Sequence, residues 1–195
     1  TEKYIKTTSP GKYTSKLYPS LSFNNPSGWT VSEPKNYLED TDETGPADGK
    51  ITISKVSTSL VLDLSTERAT GFEGDTCYAY DDVTKVGEIY RYKDKEGNVV
   101  YSPGLTEITE DWKVKNKGYY TFVDTYPTIC TGYPYLGTYS SNIKRADYPD
   151  NTFSAAKNRE VLVWLSVYVR GNPGESDLKV TDGIVNSLSD SVKEP

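Results

Sequence analysis

Three observations predict an α+β fold: an antiparallel β-sheet with a long tyrosine-rich loop and a C-terminal helix. Short segments that alternate apolar and polar residues recur along the chain, bounded by Gly, Pro, Asn and Asp. Glu160–Arg170 is the most hydrophobic stretch, β-branched and closed by Gly171, as the central strand of a sheet should be. Leu178, Ile184, Val185, Leu188 and Val192 recur at three- and four-residue spacing, the stripe of an amphipathic helix.

Residues 1–16 are mostly Thr, Ser, Lys and Gly, with a Pro and two Tyr and no periodicity, and read as a flexible N-terminal tether. Residues 17–195 read as a single globular domain. Leu17, Leu21 and Phe23 lead into the turn signal Asn24-Asn25-Pro26-Ser27-Gly28, and Trp29-Thr30-Val31 restarts a strand, so this segment is expected as a hairpin with a buried Trp29. Ile51–Lys55 and Leu60–Ser65 alternate with period two around a short Val-Ser-Thr-Ser link, a second hairpin with one buried face. Cys77–Tyr80 is a short strand. Gly87–Tyr92 and Val99–Tyr101 flank a polar tip with Gly97 at a left-handed position. Tyr119–Val123 is a further strand. Residues 124–159 show no period and read as a long loop. Ser176 or Asp177 is placed to cap a helix running to about Ser189, weakened by Gly183 inside it. The total is about eight or nine strands and one helix, with no internal repeat.

Not one histidine occurs in the 195 residues. That removes Ser-His-Asp and Cys-His nucleophiles, His-ligated zinc and any group that titrates unperturbed near neutrality. The net charge of −6, with 22 Lys and Arg scattered among 28 acids, excludes a nucleic-acid partner, which needs a cationic face. No apolar run approaches the length of a membrane span. The chain begins Thr1-Glu2-Lys3 without Met or a signal peptide and reads as a mature or trimmed product.

Cys77 and Cys130 belong to no C-x-x-C motif. In an acidic, Tyr-, Ser- and Thr-rich chain they are expected to form one disulfide, with two buried free thiols as the alternative. The acidic loop 39–48 opens like a calcium loop, but Ile51 occupies the twelfth position, where a bidentate acid is required. It reads as a solvated loop, and no metal site is assigned. Asp81 and Asp82 are adjacent and point to opposite faces if on a strand. Glu107, Glu110 and Asp111 surround Thr109 in a loop or single helical turn, and spacing alone does not make them a catalytic pair. Ser15-Lys16 and Ser54-Lys55 lack the S-x-x-K helix context. No catalytic residue and no cofactor is assigned.

Tyr119, Tyr120, Tyr126, Tyr133, Tyr135, Tyr139 and Tyr148 fall in one polar stretch. Amphipathic rings on a loop offer contact area at low entropic cost. Tyr133, Tyr135 and Tyr139 are the candidate ligand-binding residues. The competing reading has these rings roofing the sheet.

The opening Tyr18-Pro-Ser-Leu-Ser-Phe23 with Pro26-Ser-Gly28-Trp29 resembles the start of PsbP-like domains. Their closing strand and helix are similar to Val161–Val169 followed by Ile184-Val-Asn-Ser187-Leu188, and Ile51–Lys55 fits a middle strand. This resemblance implies a PsbP-like sandwich, an antiparallel sheet with flanking helices, in an exported protein, often a lipoprotein. It brings no catalytic motif with it.

These readings lead to a non-catalytic binding or scaffold domain, periplasmic or cell-surface, held to the membrane only through an upstream lipid anchor. The expected partner is a protein or envelope component, and the chain is expected to be a monomer. The competing classes are a small hydrolase or lyase using carboxylates or tyrosine, and a structural subunit of a surface assembly.

Overall fold

The computed structural model describes residues 3–37, 49–68, 76–79, 81–87, 89–93, 97–103, 106–107, 128–131, 138–139, 143, 146, 152–153 and 159–189. In chain order the strands are β1 (Tyr4–Thr7), β2 (Gly11–Thr14), β3 (Ser22–Asn25), β4 (Thr30–Pro34), β5 (Gly49–Lys55), β6 (Thr58–Arg68), β7 (Thr76–Ala79), β8 (Asp81–Val86), β9 (Ile89–Lys93), β10 (Val99–Pro103), β11 (Thr106–Glu107), β12 (Thr128–Thr131), β13 (Thr138–Tyr139), β14 (Thr152–Phe153) and β15 (Arg159–Gly171), followed by helix α1 (Glu175–Asn186). Every described strand pairing is antiparallel. The antiparallel sheet and C-terminal helix match the coarse expectation.

The main sheet runs β1-β4-β5-β6-β15-β10-β9-β8. As its composition predicted, β15 is central: β6 follows it from Val161 to Gly171 on one side, and β10 and β13 share the other. Register explains the core. Leu60, Leu62 and Leu64 lie opposite Val169, Val167 and Leu165 on one neighbour and opposite Ile53, Ile51 and Gly49 on the other. Period-two alternation therefore puts all of these side chains on one face, where they are buried. Each such side chain contributes about 1.5–3 kcal/mol of transfer free energy. The opposite face carries Lys50 bonded to Asp63 at 3.1 Å and Arg170 stacked over Tyr168, the polar side that an antiparallel sheet can turn to water. Val61 and Tyr92 on that face are nevertheless buried.

The β5–β6 hairpin is tighter than expected, with Val56 and Ser57 alone in the turn. Val56 is fully exposed with φ 48°, an unusual backbone for a β-branched residue. Gly171 packs against the turn with φ 94°, and a Cβ there would meet the Ser57 carbonyl oxygen at 1.9 Å. No other residue fits.

The N-terminal region corrects two expectations. Residues 4–14 are not an irregular arm: β1 pairs with β4, and β2 pairs with β3. Nor do β3 and β4 form a hairpin across Pro26–Gly28. Residues 4–14 instead run antiparallel to 22–34 as one bent ribbon, whose corner is held by Asn25 Nδ2 donating to the carbonyls of Ser9 (2.9 Å) and Trp29 (3.3 Å). One half of the ribbon is the edge of the main sheet. The other half folds over the core, burying Leu17, Tyr18, Leu21, Phe23 and Trp29. Edge strands need little apolar character and often carry lysine, as Lys6 does here, which is why residues 4–7 gave no strand signal.

Other boundaries also move. The 124–159 stretch, expected as a loop, contains β12, β13 and β14, strands too short to show a period. The helix begins after Gly174, with no side-chain cap. Ser176 and Asp177 lie in its first turn, where Asp177 accepts a bond from Thr58 Oγ1 at 3.0 Å and its charge suits the helix dipole. Helix α1 buries Thr181, Ile184 and Val185, and Leu188 follows. The tail then docks on β3, with Ser189 N–H donating to the Ser22 carbonyl and Asn24 N–H to Ser187 Oγ. Tyr119–Val123, the acidic loop 39–48 and Val192 lie outside the described residues. Among the described residues no helix is long and apolar enough to cross a membrane.

Gly183 sits on the exposed side of α1, and a Cβ there would meet nothing within 4 Å. Gly183→Ala is expected to stabilise the protein by about 1 kcal/mol, from helix propensity alone. Urea denaturation checks this, and a neutral or destabilising result would mean an unseen contact at that position.

Candidate functional site

Where the β8–β10 end of the sheet meets α1, the core becomes polar. Tyr101, Arg91 and Lys93 share the buried face with Val167 and Val99, because Tyr101 is in register with Arg91 and Val167, and Val99 with Lys93 and Val169. Asp182 on the helix meets them. Arg91 Nε donates to Asp182 Oδ1 at 2.9 Å, and Tyr101 Oη donates to the same oxygen at 2.6 Å. Tyr101 Oη also lies 2.7 Å from Thr181 Oγ1, which donates to the Leu178 carbonyl at 3.0 Å. One aspartate therefore ties the second and third strands from the sheet edge to the helix.

Beside this network is a cleft of about 650 Å³. Thr84, Arg91, Lys93 and Val99 line its sheet wall, and Glu175, Leu178 and Lys179 its helix wall. Glu175 and Lys179 stand one helical turn apart in the favourable order. Three cations, Arg91, Lys93 and Lys179, against the acid Glu175 make the lining as a whole locally basic within an acidic chain, with Val99 and Leu178 as its apolar members. That combination suits a ligand carrying an anionic group on an apolar body.

The phenol of Tyr101 is pushed well above the ordinary tyrosine value, first by burial, then by its bond to Asp182 and that group's charge; the Thr181 contact and Arg91 pull the other way. It is held as a neutral hydrogen-bond donor. Asp182, engaged by two donors, is a positioning group.

Residues singled out from sequence distribute as follows. Cys77 and Cys130 occupy directly opposed positions in the β7–β12 ladder. Tyr139 lies in β13 opposite Leu165 of the central strand, whereas Tyr133 and Tyr135 lie outside the described residues. Asp81 is opposite Lys93 in β8, and a register shift follows between Asp81 and Thr84. Glu107 is in β11 opposite Ile129, while Glu110 and Asp111 lie outside the described residues. Ser15 bonds Glu33, as described below, and Ser54 is in register with Ser59. Among the described residues there is no group of three or more His, Cys, Asp or Glu that could hold a metal ion. Arg91, Lys93 and Asp182 went unnoticed in the sequence. The only available signal was the alternation Arg91–Lys93, which places two cations on one face of a strand.

No protein-family model, curated protein or solved structure matches this chain.

The raised phenols make alkaline stability a readout of this packing. Tyr13 is also raised, by burial first and then by the hydrogen bond and charge of Glu33. Both groups hold their proton more tightly folded than unfolded, where tyrosine titrates near pH 10. Their contribution is therefore complete below about pH 10 and is lost as pH rises through the folded values. Melting temperature should stay level from neutrality to about pH 9, then fall. Tyr101→Phe and Tyr13→Phe should each flatten that fall, and an unchanged slope in both would overturn the assignment.

Proposed function

We propose that this chain is a non-catalytic binding or scaffold domain of an exported or cell-surface protein, and that it takes an anionic group of its partner in the cleft between β8–β10 and α1. The observation that carries this reading is the cleft itself. Its sheet wall is fixed by Arg91 held to Asp182, so this recognition group is preorganised. Export is supported by the opposed cysteines, since a cross-strand disulfide belongs to oxidising compartments. The finer architecture we propose is the PsbP-like sandwich. It rests on Trp29 following the Pro26–Gly28 turn and on the succession of β15 and α1.

A second contact surface is proposed on Tyr133, Tyr135 and Tyr139. Residues 132–137 connect β12 to β13, and β13 is fixed to the central strand at Ser166 and Leu165. A segment held at both ends on a rigid scaffold is a usual place for binding residues.

Titration with citrate, a small polycarboxylate probe, followed by amide chemical shifts tests the cleft. Saturable shifts are expected at Lys93, Val99, Leu178 and Lys179, and Lys93→Glu with Lys179→Glu should abolish them. Shifts scattered over the surface, or surviving in the double variant, would refute the cleft.

Replacing Tyr133 and Tyr135 with Ser should change stability by no more than about 0.5 kcal/mol each, the range for surface positions. A loss of several kcal/mol in the thermal melt would show the rings to be core.

A further inference from the structure

We infer that Cys77 and Cys130 form a cross-strand disulfide whose role is to staple the outer meander β8-β9-β10 onto the rest of the sheet. Two facts of placement meet here. The register sets Cys130 directly across from Cys77, with Ile129 opposite Tyr78 and Thr131 opposite Thr76. Directly opposed residues of an antiparallel pair have Cα atoms roughly 4.5–5.5 Å apart, inside the range of about 4.4–6.8 Å that a disulfide spans. Two cysteines of a chain containing only two thus stand where a bond needs no backbone movement.

The second fact is what the bond would enclose. The chain from 77 to 130 contains β8, β9, β10 and β11, so the closed loop holds the whole β10-β9-β8 run beyond β15, leaving only the two-residue β13 outside it on that side. This is also the weakly joined part of the sheet. β10 meets β15 only through Val99–Tyr101 against Val167–Val169, whereas β6 accompanies β15 from Val161 to Gly171. Closing the loop lowers the entropy of the undocked meander without adding a contact at the seam.

The chemistry is a two-electron exchange. Both thiols lose their protons, the two sulfur atoms bond, and a donor disulfide of the compartment accepts the electrons and protons and leaves as two thiols. The inference rests on the exported reading for that donor. It deepens the binding reading too, because one wall of the cleft is the meander.

The test uses the full chain incubated with oxidised glutathione, then alkylated under denaturing, non-reducing conditions. No label is expected on either cysteine, and two labels are expected after reduction. Hydrogen exchange is then compared between oxidised and phosphine-reduced protein. Reduction should speed exchange in 81–103 by about tenfold or more, while β5 and β6 change little. Cys77→Ser with Cys130→Ser should reproduce the reduced pattern. Labelled thiols after oxidation, or acceleration spread evenly over the sheet, would overturn the proposal. Protein that oxidises in vitro but is recovered reduced from its native source would overturn export, and with it the disulfide of the native protein, while leaving only the opposed geometry of the pair.

Discussion

One buried carboxylate holds the two layers of this molecule together. Glu33 projects from β4 onto the core face and has no solvent exposure. Tyr13 Oη and Ser15 Oγ donate to it, as do the backbone N–H groups of Lys16 (3.1 Å) and Leu17 (3.2 Å). Ser15 Oγ accepts in turn from Tyr18 N–H. An ionised group out of water is tolerated only when its oxygens are saturated in this way. Removing one partner of such a buried hydrogen-bonded arrangement typically costs about 1–3 kcal/mol, and more where the group left unpaired is charged. The donors all lie on the folded-over half of the ribbon and its tip, so the carboxylate fixes where that half crosses the sheet. Leu17, set by this anchor, then offers its carbonyl to Tyr37 Oη and to the Ala146 N–H.

The far end of the core repeats the device with a different balance. Asp182 receives Tyr101 and Arg91 and pins α1 to the outer strands, but it borders a cleft rather than lying sealed within the core. Glu33 faces hydroxyl and amide donors only, and its arrangement is structural. Asp182 faces a cation that also lines open space. Between these two clamps the helix tail bonds β3, so the first and last described segments close on each other, with Ser189 N–H and the Ser22 carbonyl 2.9 Å apart.

Where pattern and burial coincide, the fold was legible in the sequence. Ile51 and Ile53 against Leu60, Leu62 and Leu64 declare a hairpin by period two alone, Gly97 marks the β9–β10 tip, and the β-branched run of β15 can only be central. Residues 4–14 were not legible, because an edge strand with one half-buried face has almost no hydrophobic signature. The Pro26–Gly28 turn was legible, but a turn signal is the same whether the strands it joins pair or diverge. Glu33 alternates with Val31 and so belonged to the buried face, yet an isolated Glu in a polar stretch carries no sign of its donors, which come from distant residues. The site was scarcely legible. Arg91, Lys93, Lys179 and Asp182 are ordinary surface residues until register and helix placement bring them together. The cysteines could be paired by count, but their opposition across β7 and β12 appears only in the ladder.

The cleft lies along the seam of the sheet, and this has a thermodynamic consequence. Its sheet wall belongs to β8–β10, and its other wall is a helix anchored to β3 and to Thr58 of β6. Any molecule that touches both walls binds only the docked arrangement. By linkage it stabilises docking by RT ln(1 + [L]/Kd), about 2.7 kcal/mol at a hundredfold excess over Kd. The same linkage runs in reverse, since whatever holds the meander down raises the fraction of molecules with a formed cleft. Arg91 sits at the crossing of both effects. Its bond to Asp182 is part of the docking seam, and its guanidinium lines the cleft. On the proposed reading of the cleft, binding strength and sheet integrity are one coupled quantity, adjustable from either side of the seam.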